Sequence, residues 1–454
     1  VGVPPGWRTQ QMTSEVVVMN RLAVALAADS AVTAEGHNKV HNSANKLFML
    51  SRTHPVGIMV YNNAALMSLP WETLIKAYRA QLGDTEFERL EDYGEDFVKF
   101  VELQAQHFGR DTQKKFFLEL VDLYFAEIAR EIRKRVDHAQ SAFSDASDGG
   151  EAERGRIYRE TIDSFASKLA KLDASETLDP EAGLTLAGEC SGEIQQLTTE
   201  RFKVPNPKLG NAEVSALRQF AIDLVQKDEI PLPTLTGIVI AGFGKSDFYP
   251  VLQVFEVGDV YGHRLKLKRA PIERIGESKA THVAAFADSD TTNAFLKGIP
   301  PDFEVKIIEW AYEVTEKLTE AAVAGSKGMS AASRDQLNAE VTTLRDELMG
   351  EFVDRMEDYK NENYVWQAED AIFNLPKDEL AHVAAALVNI NLLKKRMSMS
   401  METVGGPIDV AVISKGDGFI WIDRKHYFSA SKNPHFLRNR FGVSALIPAE
   451  PEND

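Results

Sequence analysis

Strand-like runs occur in three separate stretches of this chain, and none of the three is large enough to bury a hydrophobic core by itself. One layered α/β core must therefore be assembled from distant parts of the sequence, with the helical stretches between them inserted or packed on it. The first stretch runs from Glu15 to Tyr61. Val16-Val17-Val18-Met19 and Leu22 to Ala27 flank Asn20-Arg21, which reads as a two-residue hairpin turn. Lys46 to Leu50 and Val56 to Tyr61 follow, broken by Thr53-His54-Pro55. The second stretch starts after Pro231-Leu232-Pro233: Gly237 to Phe243 and Pro250 to Val257 form a hairpin around Gly244-Lys245-Ser246-Asp247, and Arg264 to Leu267 and His282 to Phe286 extend the same sheet. The third comprises Ile408 to Ile413 and Phe419 to Ile422 on either side of Lys415-Gly416-Asp417-Gly418.

Between these stretches the period changes. Phe116, Leu120, Leu123, Tyr124, Ile128, Ile132 and Val136 recur at three-to-four spacing after a cap at Asp111-Thr112, and Arg154 to Leu172 continues as helix. Asp173 to Gly192 is polar and reads as loop. Leu337, Val341, Leu344, Leu348, Phe352, Met356 and Tyr359 alternate by threes and fours, a stripe suited to pairing with a second helix.

The chain has 454 residues and a formal charge of −17. That charge repels phosphate backbones, and the basic run Lys394-Lys395-Arg396 is only a solvated helix end, so nucleic-acid binding is not expected. No apolar run reaches the roughly 18–20 residues of a membrane span, and the first residues lack the apolar segment of a secretion signal. The single Cys190 excludes an intrachain disulfide framework. The expectation is a cytoplasmic protein without membrane partners.

The chemistry points to Thr13. A threonine hydroxyl is a weak nucleophile until a base takes its proton, and the α-amine of the same residue, with a reference pKa of about 8, can be that base. A lysine beside the amine lowers its pKa, and an aspartate holds the lysine in place. Thr13, Asp29 in Ala27-Ala28-Asp29-Ser30-Ala31-Val32-Thr33, and Lys46 supply the three groups on neighbouring strands.

At these residues the chain resembles the proteasome-type N-terminal-nucleophile (Ntn) hydrolases, including the bacterial HslV-type peptidase. The family's aspartate lies sixteen residues after its threonine, as Asp29 does after Thr13; its lysine follows about sixteen later, and here Lys46 follows by seventeen. Gly237-Ile238-Val239-Ile240-Ala241-Gly242-Phe243 resembles the family's middle strand, and Val404-Gly405-Gly406-Pro407-Ile408-Asp409-Val410 its late Ser-Gly-Gly-Pro-x-Asp-Val segment. The resemblance covers about 200 residues in three blocks. It implies a four-layer αββα Ntn-hydrolase sandwich carrying two helical insertions. The blocks are 13–71, 231–303 and 396–454, the insertions 72–230 and 304–395, and residues 1–12 an upstream extension or propeptide. Thr13 would be exposed either by removal of Met12 or by self-processing.

The resemblance further implies a threonine-type hydrolase of amide bonds, most simply a peptidase, with Thr13, Asp29 and Lys46 catalytic and the backbone of Tyr61 and Asn62 forming the oxyanion hole. Ser289, between Asp288 and Asp290, is the candidate for a further polar partner of the amine. It implies no metal or organic cofactor, a peptide or protein substrate, a homo-oligomer, and an ATPase unfoldase as a possible partner. Three places depart from the pattern: Tyr61-Asn62-Asn63 stands where active members carry glycine, Val404 replaces the late serine, and Met401 replaces an aspartate three residues before it. Two other readings therefore stay open, a small-molecule amidase of the same fold and a catalytically silent assembly subunit.

Other motifs have simpler explanations. His37 and His41 lack a third ligand. Gly242 to Ser246 lacks the earlier glycine of a phosphate-binding loop. Cys190 has no histidine partner in sequence view, and Met397, Met399 and Met401 read as core fillers.

Overall fold

The computed structural model describes residues 13–34, 39–41, 44–140, 149–203, 209–228, 230, 232, 234–287, 289–325, 328–397, 405–426, 428 and 432–433. Met12, His37, Met399, Met401 and Val404, all named above, lie outside them.

The chain is mixed α/β with antiparallel sheets. Its main strands are β1 (Ser14–Asn20), β2 (Ala23–Ala28), β3 (Leu47–Met49), β4 (Val56–Asn62), β5 (Thr236–Gly242), β6 (Val251–Tyr261), β7 (Arg264–Arg269), β8 (Thr281–Ala287), β9 (Asp409–Ser414) and β10 (Gly418–Asp423). One sheet runs β8-β1-β2-β9-β10 and the other β7-β6-β5-β4-β3, so each joins segments from distant parts of the chain. The two sheets pack face to face. Val17, Met19, Val24 and Leu26 from the first meet Met59, Val239, Ala241 and Leu252 from the second.

Alternation along each strand sends the next set of side chains outward. On the first sheet Val16, Val18, Ala23, Ala25 and Ala27 meet Leu380, Ala381, Ala384 and Val388 of a late helix, Lys377–Met397. The small alanines of β2 let that helix lie close. On the second sheet Ile58, Ile238, Ile240 and Phe255 meet Trp71, Leu74, Ile75 and Tyr78 of α1 (Trp71–Leu82) and Tyr93 and Phe97 of α2 (Leu90–Ala105). The order of packing is helix, sheet, sheet, helix.

Helices α3 (Arg110–Gln140), α4 (Gly149–Ala170), α5 (Pro180–Glu189), α6 (Ser191–Arg201) and α7 (Asn211–Val225) build a separate core around Phe117, Phe125, Ile128, Tyr158 and Phe220. A buried polar group pins it to the second sheet. Lys266 on β7 donates to the carbonyls of Val225 (3.2 Å) and Lys227, and Asp259 on β6 accepts from the hydroxyls of Thr234 (2.7 Å) and Tyr261 (3.3 Å). Burial pushes the Lys266 ammonium down to about 8 and the Asp259 carboxyl up to about 6.

Beyond β8 come α8 (Asp290–Lys297), α9 (Pro301–Gly325), α10 (Ala331–Lys360), a π turn at Asn361–Val365 and α11 (Trp366–Phe373); the helix at Lys377–Met397 is α12. Helices α9 and α10 pack on each other as a hairpin.

Four expectations are corrected. The β1–β2 turn is Arg21-Leu22: Asn20 still belongs to β1, opposite Thr281 of β8, and its side chain accepts from the Leu22 and Ala23 N–H groups. Strand β8 joins β1 (Ser14 opposite Ala287) and not the sheet of β6 and β7. The supposed loop at 173–192 contains all of α5 and the start of α6. Asp179 caps α5 by accepting from Glu181 N–H, Pro180 occupies its first position, and Leu186, Ala187 and Cys190 are buried. Helix α10 pairs with α9 as the stripe suggests, but only part of the stripe faces the partner: Leu337, Val341 and Met356 are half-buried, Leu344, Leu348, Phe352 and Tyr359 are exposed, and Met349, off the stripe, is buried.

Candidate active site

Strand β1 begins where the two sheets meet. Thr13 and Glu15 share the face that carries Val17 and Met19 and so point between the sheets, while Ser14 points to α12. Thr13 is 1% exposed and Glu15 is fully buried. The Thr13 hydroxyl donates to Glu15 Oε2 at 3.0 Å and accepts from the backbone N–H of Asn62 at 3.3 Å.

Asp29 follows β2 directly, and the chain there is fixed by a bond from its own N–H to the Ser14 carbonyl at 3.1 Å. Its carboxylate is held by backbone donors from three segments. Oδ1 accepts from Ser14 N–H (3.2 Å), and Oδ2 accepts from Ala31 N–H (3.3 Å) and Gly405 N–H (3.1 Å). Ser30 N–H in turn donates to the Gly405 carbonyl at 3.2 Å, and the Ser30 hydroxyl donates to that of Pro407. The Gly-Gly-Pro segment thus closes the Asp29 loop through its backbone.

Lys46 precedes β3, and its carbonyl accepts from Val60 N–H at 2.8 Å, which fixes it to β4. Its Nζ lies 2.5 Å from Asp29 Oδ1 and 3.2 Å from Glu15 Oε1. Two carboxylates therefore share one buried ammonium. Burial pushes the Glu15 carboxyl up to about 8; the Lys46 ammonium opposes this shift and the Asp29 charge adds to it.

Thr13, Asp29, Lys46 and Asn62 are thus brought together. Tyr61 enters through its ring, which stacks on Phe286 with centroids 5.1 Å apart and leaves no room at Gly237, where a Cβ would stand 1.8 Å from the ring. Burial raises the Tyr61 phenol further above its usual range. The donor aimed at Thr13 is Asn62 N–H. Asn62 has φ 65°, in the left-handed region where asparagine is among the tolerated non-glycine residues. Ser289 stands at the start of α8, two residues past Ala287, which lies opposite Ser14; among the described residues its side chain makes no hydrogen bond to Thr13, Asp29 or Lys46. On the reverse face of β1 the polar partners are Asn391, which donates to the Ser14 hydroxyl at 2.7 Å, and Thr292, which donates to Asn391 at 3.2 Å.

Sequence reasoning missed Glu15, Asn391 and Thr292. Only Glu15 carried a usable signal: a carboxylate two residues from Thr13 in an otherwise apolar strand falls on the same face as that threonine. Among the described residues, no group of three or more His, Cys, Asp or Glu side chains is placed to hold a metal, and no helix is long and apolar enough to cross a membrane. Cys190 is buried at the α5–α6 junction.

No known family's sequence profile matches the chain, and no curated protein matches it. Among solved structures it is similar to Anbu (ancestral beta-subunit) from Yersinia bercovieri, at 8% identity and a TM-score of 0.29, over 97% of this chain and 100% of that one. A second is the helical assembly of the Anbu complex from Pseudomonas aeruginosa, at 10% identity and a TM-score of 0.26, over 96% and 100%. Superpositions of this quality carry no weight for fold or activity.

Proposed function

We propose that this chain is a threonine-type amide hydrolase with a proteasome-like Ntn-hydrolase sandwich, acting most simply on peptide bonds. The observation that carries the reading is the convergence on one hydroxyl: Thr13 Oγ1 has a backbone N–H 3.3 Å away, beside a lysine bound to Asp29 at 2.5 Å. In the proposed reaction Thr13 Oγ attacks the substrate carbonyl and its α-amine, once freed, takes the proton. Lys46 lowers the pKa of that amine, Asp29 orients Lys46, and Asn62 N–H donates to the developing oxyanion, a contact worth about 3–4 kcal/mol in such transition states. An ester on Thr13 then yields to water. A homo-oligomer and an ATPase unfoldase partner belong to the same reading and rest on the family resemblance.

The burial of Thr13 favours a second reading, a silent subunit that acts through assembly. Intact mass and N-terminal sequencing of natively processed protein, followed by labelling with a threonine-directed electrophile, separate the two. The hydrolase reading expects a chain beginning at Thr13 that takes one label, and none in Thr13→Ala. A processed chain that takes no label would leave only the assembly role.

A further inference from the structure

We propose that Glu15 is the general base that takes the hydroxyl proton of Thr13, so that the nucleophile is activated from within its own strand and does not depend on a free α-amine. The inference rests on the reading of Thr13 as nucleophile and assigns to Glu15 the proton transfer that the proposed reaction gives to the α-amine.

Successive side chains on one face of a strand are about 6.6 Å apart at the backbone, and a glutamate is long enough to reach back over that interval. Glu15 does so, placing Oε2 3.0 Å from Thr13 Oγ1 with the hydroxyl donating to it. That is the distance a proton-accepting group must have. Asp29 already pairs with Lys46 and is tied to three backbone N–H groups, whereas the other Glu15 oxygen makes no hydrogen bond and has only the Lys46 ammonium 3.2 Å away. A buried carboxylate left so sparsely held costs stability, and the one directional contact it makes is to the nucleophile.

The proton balance is complete. As Thr13 Oγ bonds to the carbonyl carbon, its proton passes to Glu15 Oε2. When the carbon–nitrogen bond breaks, the leaving amine takes that proton and the carboxylate is restored. The charged and titratable groups facing Glu15 are Lys46 ahead of β3, Asp29 after β2, and Tyr61 on β4, itself influenced by Glu256 on β6; β8 presents the apolar Phe286 opposite it. Lys46 favours the basic form, while burial and Asp29 hold the proton on until mildly alkaline pH.

The test is the rate of Thr13 acylation by a peptidyl β-lactone between pH 5.5 and 9.5, read by intact mass. It is run on the chain with its preceding residues attached, where the Thr13 amine is an amide, and on the chain beginning at Thr13. Both forms are expected to be acylated, at a rate that rises with pH and levels off above about 8. Glu15→Gln is expected to lower the rate about 100-fold and flatten the profile, and Glu15→Asp to recover part of it. A Glu15→Gln protein that reacts within threefold of the parent, with the same profile, overturns the proposal while leaving Thr13 as nucleophile. So does reaction confined to the form with a free amine. Labelling that survives Thr13→Ala, or none in either form, overturns the nucleophile reading and the proposal with it. Should Glu15→Gln fail to fold, a parent profile flat between pH 6.5 and 9 overturns the proposal.

Discussion

Two of the places where the molecule buries a lysine with carboxylates differ in what surrounds them. At Asp259 and Lys266 the hydrogen bonds are to neutral partners, two hydroxyls on one oxygen of the aspartate and two carbonyls on the lysine, while Asp259 Oδ1 makes no hydrogen bond. The result fastens the five-helix core to a sheet edge. At Thr13 the lysine sits between two carboxylates, and one of these spends its contact on a hydroxyl that also receives a backbone N–H. Both clusters contain strongly shifted groups, so a shifted pKa does not by itself distinguish a fastening from a site. The difference is whether a hydroxyl remains with both a proton acceptor and a backbone N–H in reach.

Substitutions should divide along the same line. The largest effect is expected for Lys46→Met. It leaves Asp29 and Glu15 without their cation, which should cost about 3–5 kcal/mol of stability and lower Thr13 labelling about 100-fold or more. Lys266→Met should cost about 1–3 kcal/mol in denaturant unfolding, by stripping the Val225 and Lys227 carbonyls of a donor, and leave labelling unchanged. Equal loss of labelling in both variants would erase the distinction.

The pH dependence of stability sharpens it further. Glu15 binds its proton more tightly when folded, so its contribution is fully present below about 4.5 and is lost as pH rises towards about 8. Glu15→Gln should therefore gain melting temperature relative to the parent between pH 5 and 8. Asp259→Asn should show its relative gain earlier, between about 4 and 6. Lys266 has the opposite sign: its folded pKa of about 8 lies below 10.5, so its contribution grows as pH rises between those values. Melting curves across pH that show one common window for both carboxyl variants would mean the two environments do not differ. The smallest effect is expected for Asn62→Gly, under about 1 kcal/mol in unfolding and within threefold in labelling, because a backbone N–H and a left-handed φ are what the position supplies. A tenfold loss of labelling would shift the role to the Asn62 side chain.

How much of this was legible in the sequence depended on whether the signal was local. That Thr13, Asp29 and Lys46 would lie together was legible because two short hairpins carry them, and spacing along a hairpin converts directly into position in space. The hairpin at Gly244–Asp247 was legible for the same reason; its docking on α2, through Asp247 accepting from Gly244 and Leu90 N–H, was not. Strand β8 was recognised but assigned to the wrong sheet, since alternation marks a strand without naming its neighbour. Helices α5 and α6 were hidden by polar composition: only a few of their side chains are buried, and the cap at Asp179 is the feature that should have outweighed it. Asn391 reaches Ser14 from a helix 377 positions away, Thr292 in turn donates to Asn391, and no periodicity encodes that meeting.

The α9–α10 hairpin leaves the sandwich and returns to nearly the same point. Glu304 and Lys360, 56 positions apart, form an ion pair at its base, and the Tyr364 ring lies against Gly298, where a Cβ would be only 2.6 Å away. Past that base the chain packs at once on β1 and β8 through α11, with Asn20 donating to the carbonyls of Ile372 and Leu375. A segment closed off in this way can grow, shrink or be exchanged over generations without altering a single strand pairing. The arm is therefore where descendants of this chain have most freedom to change length, while the residues around Thr13 inherit an unchanged frame.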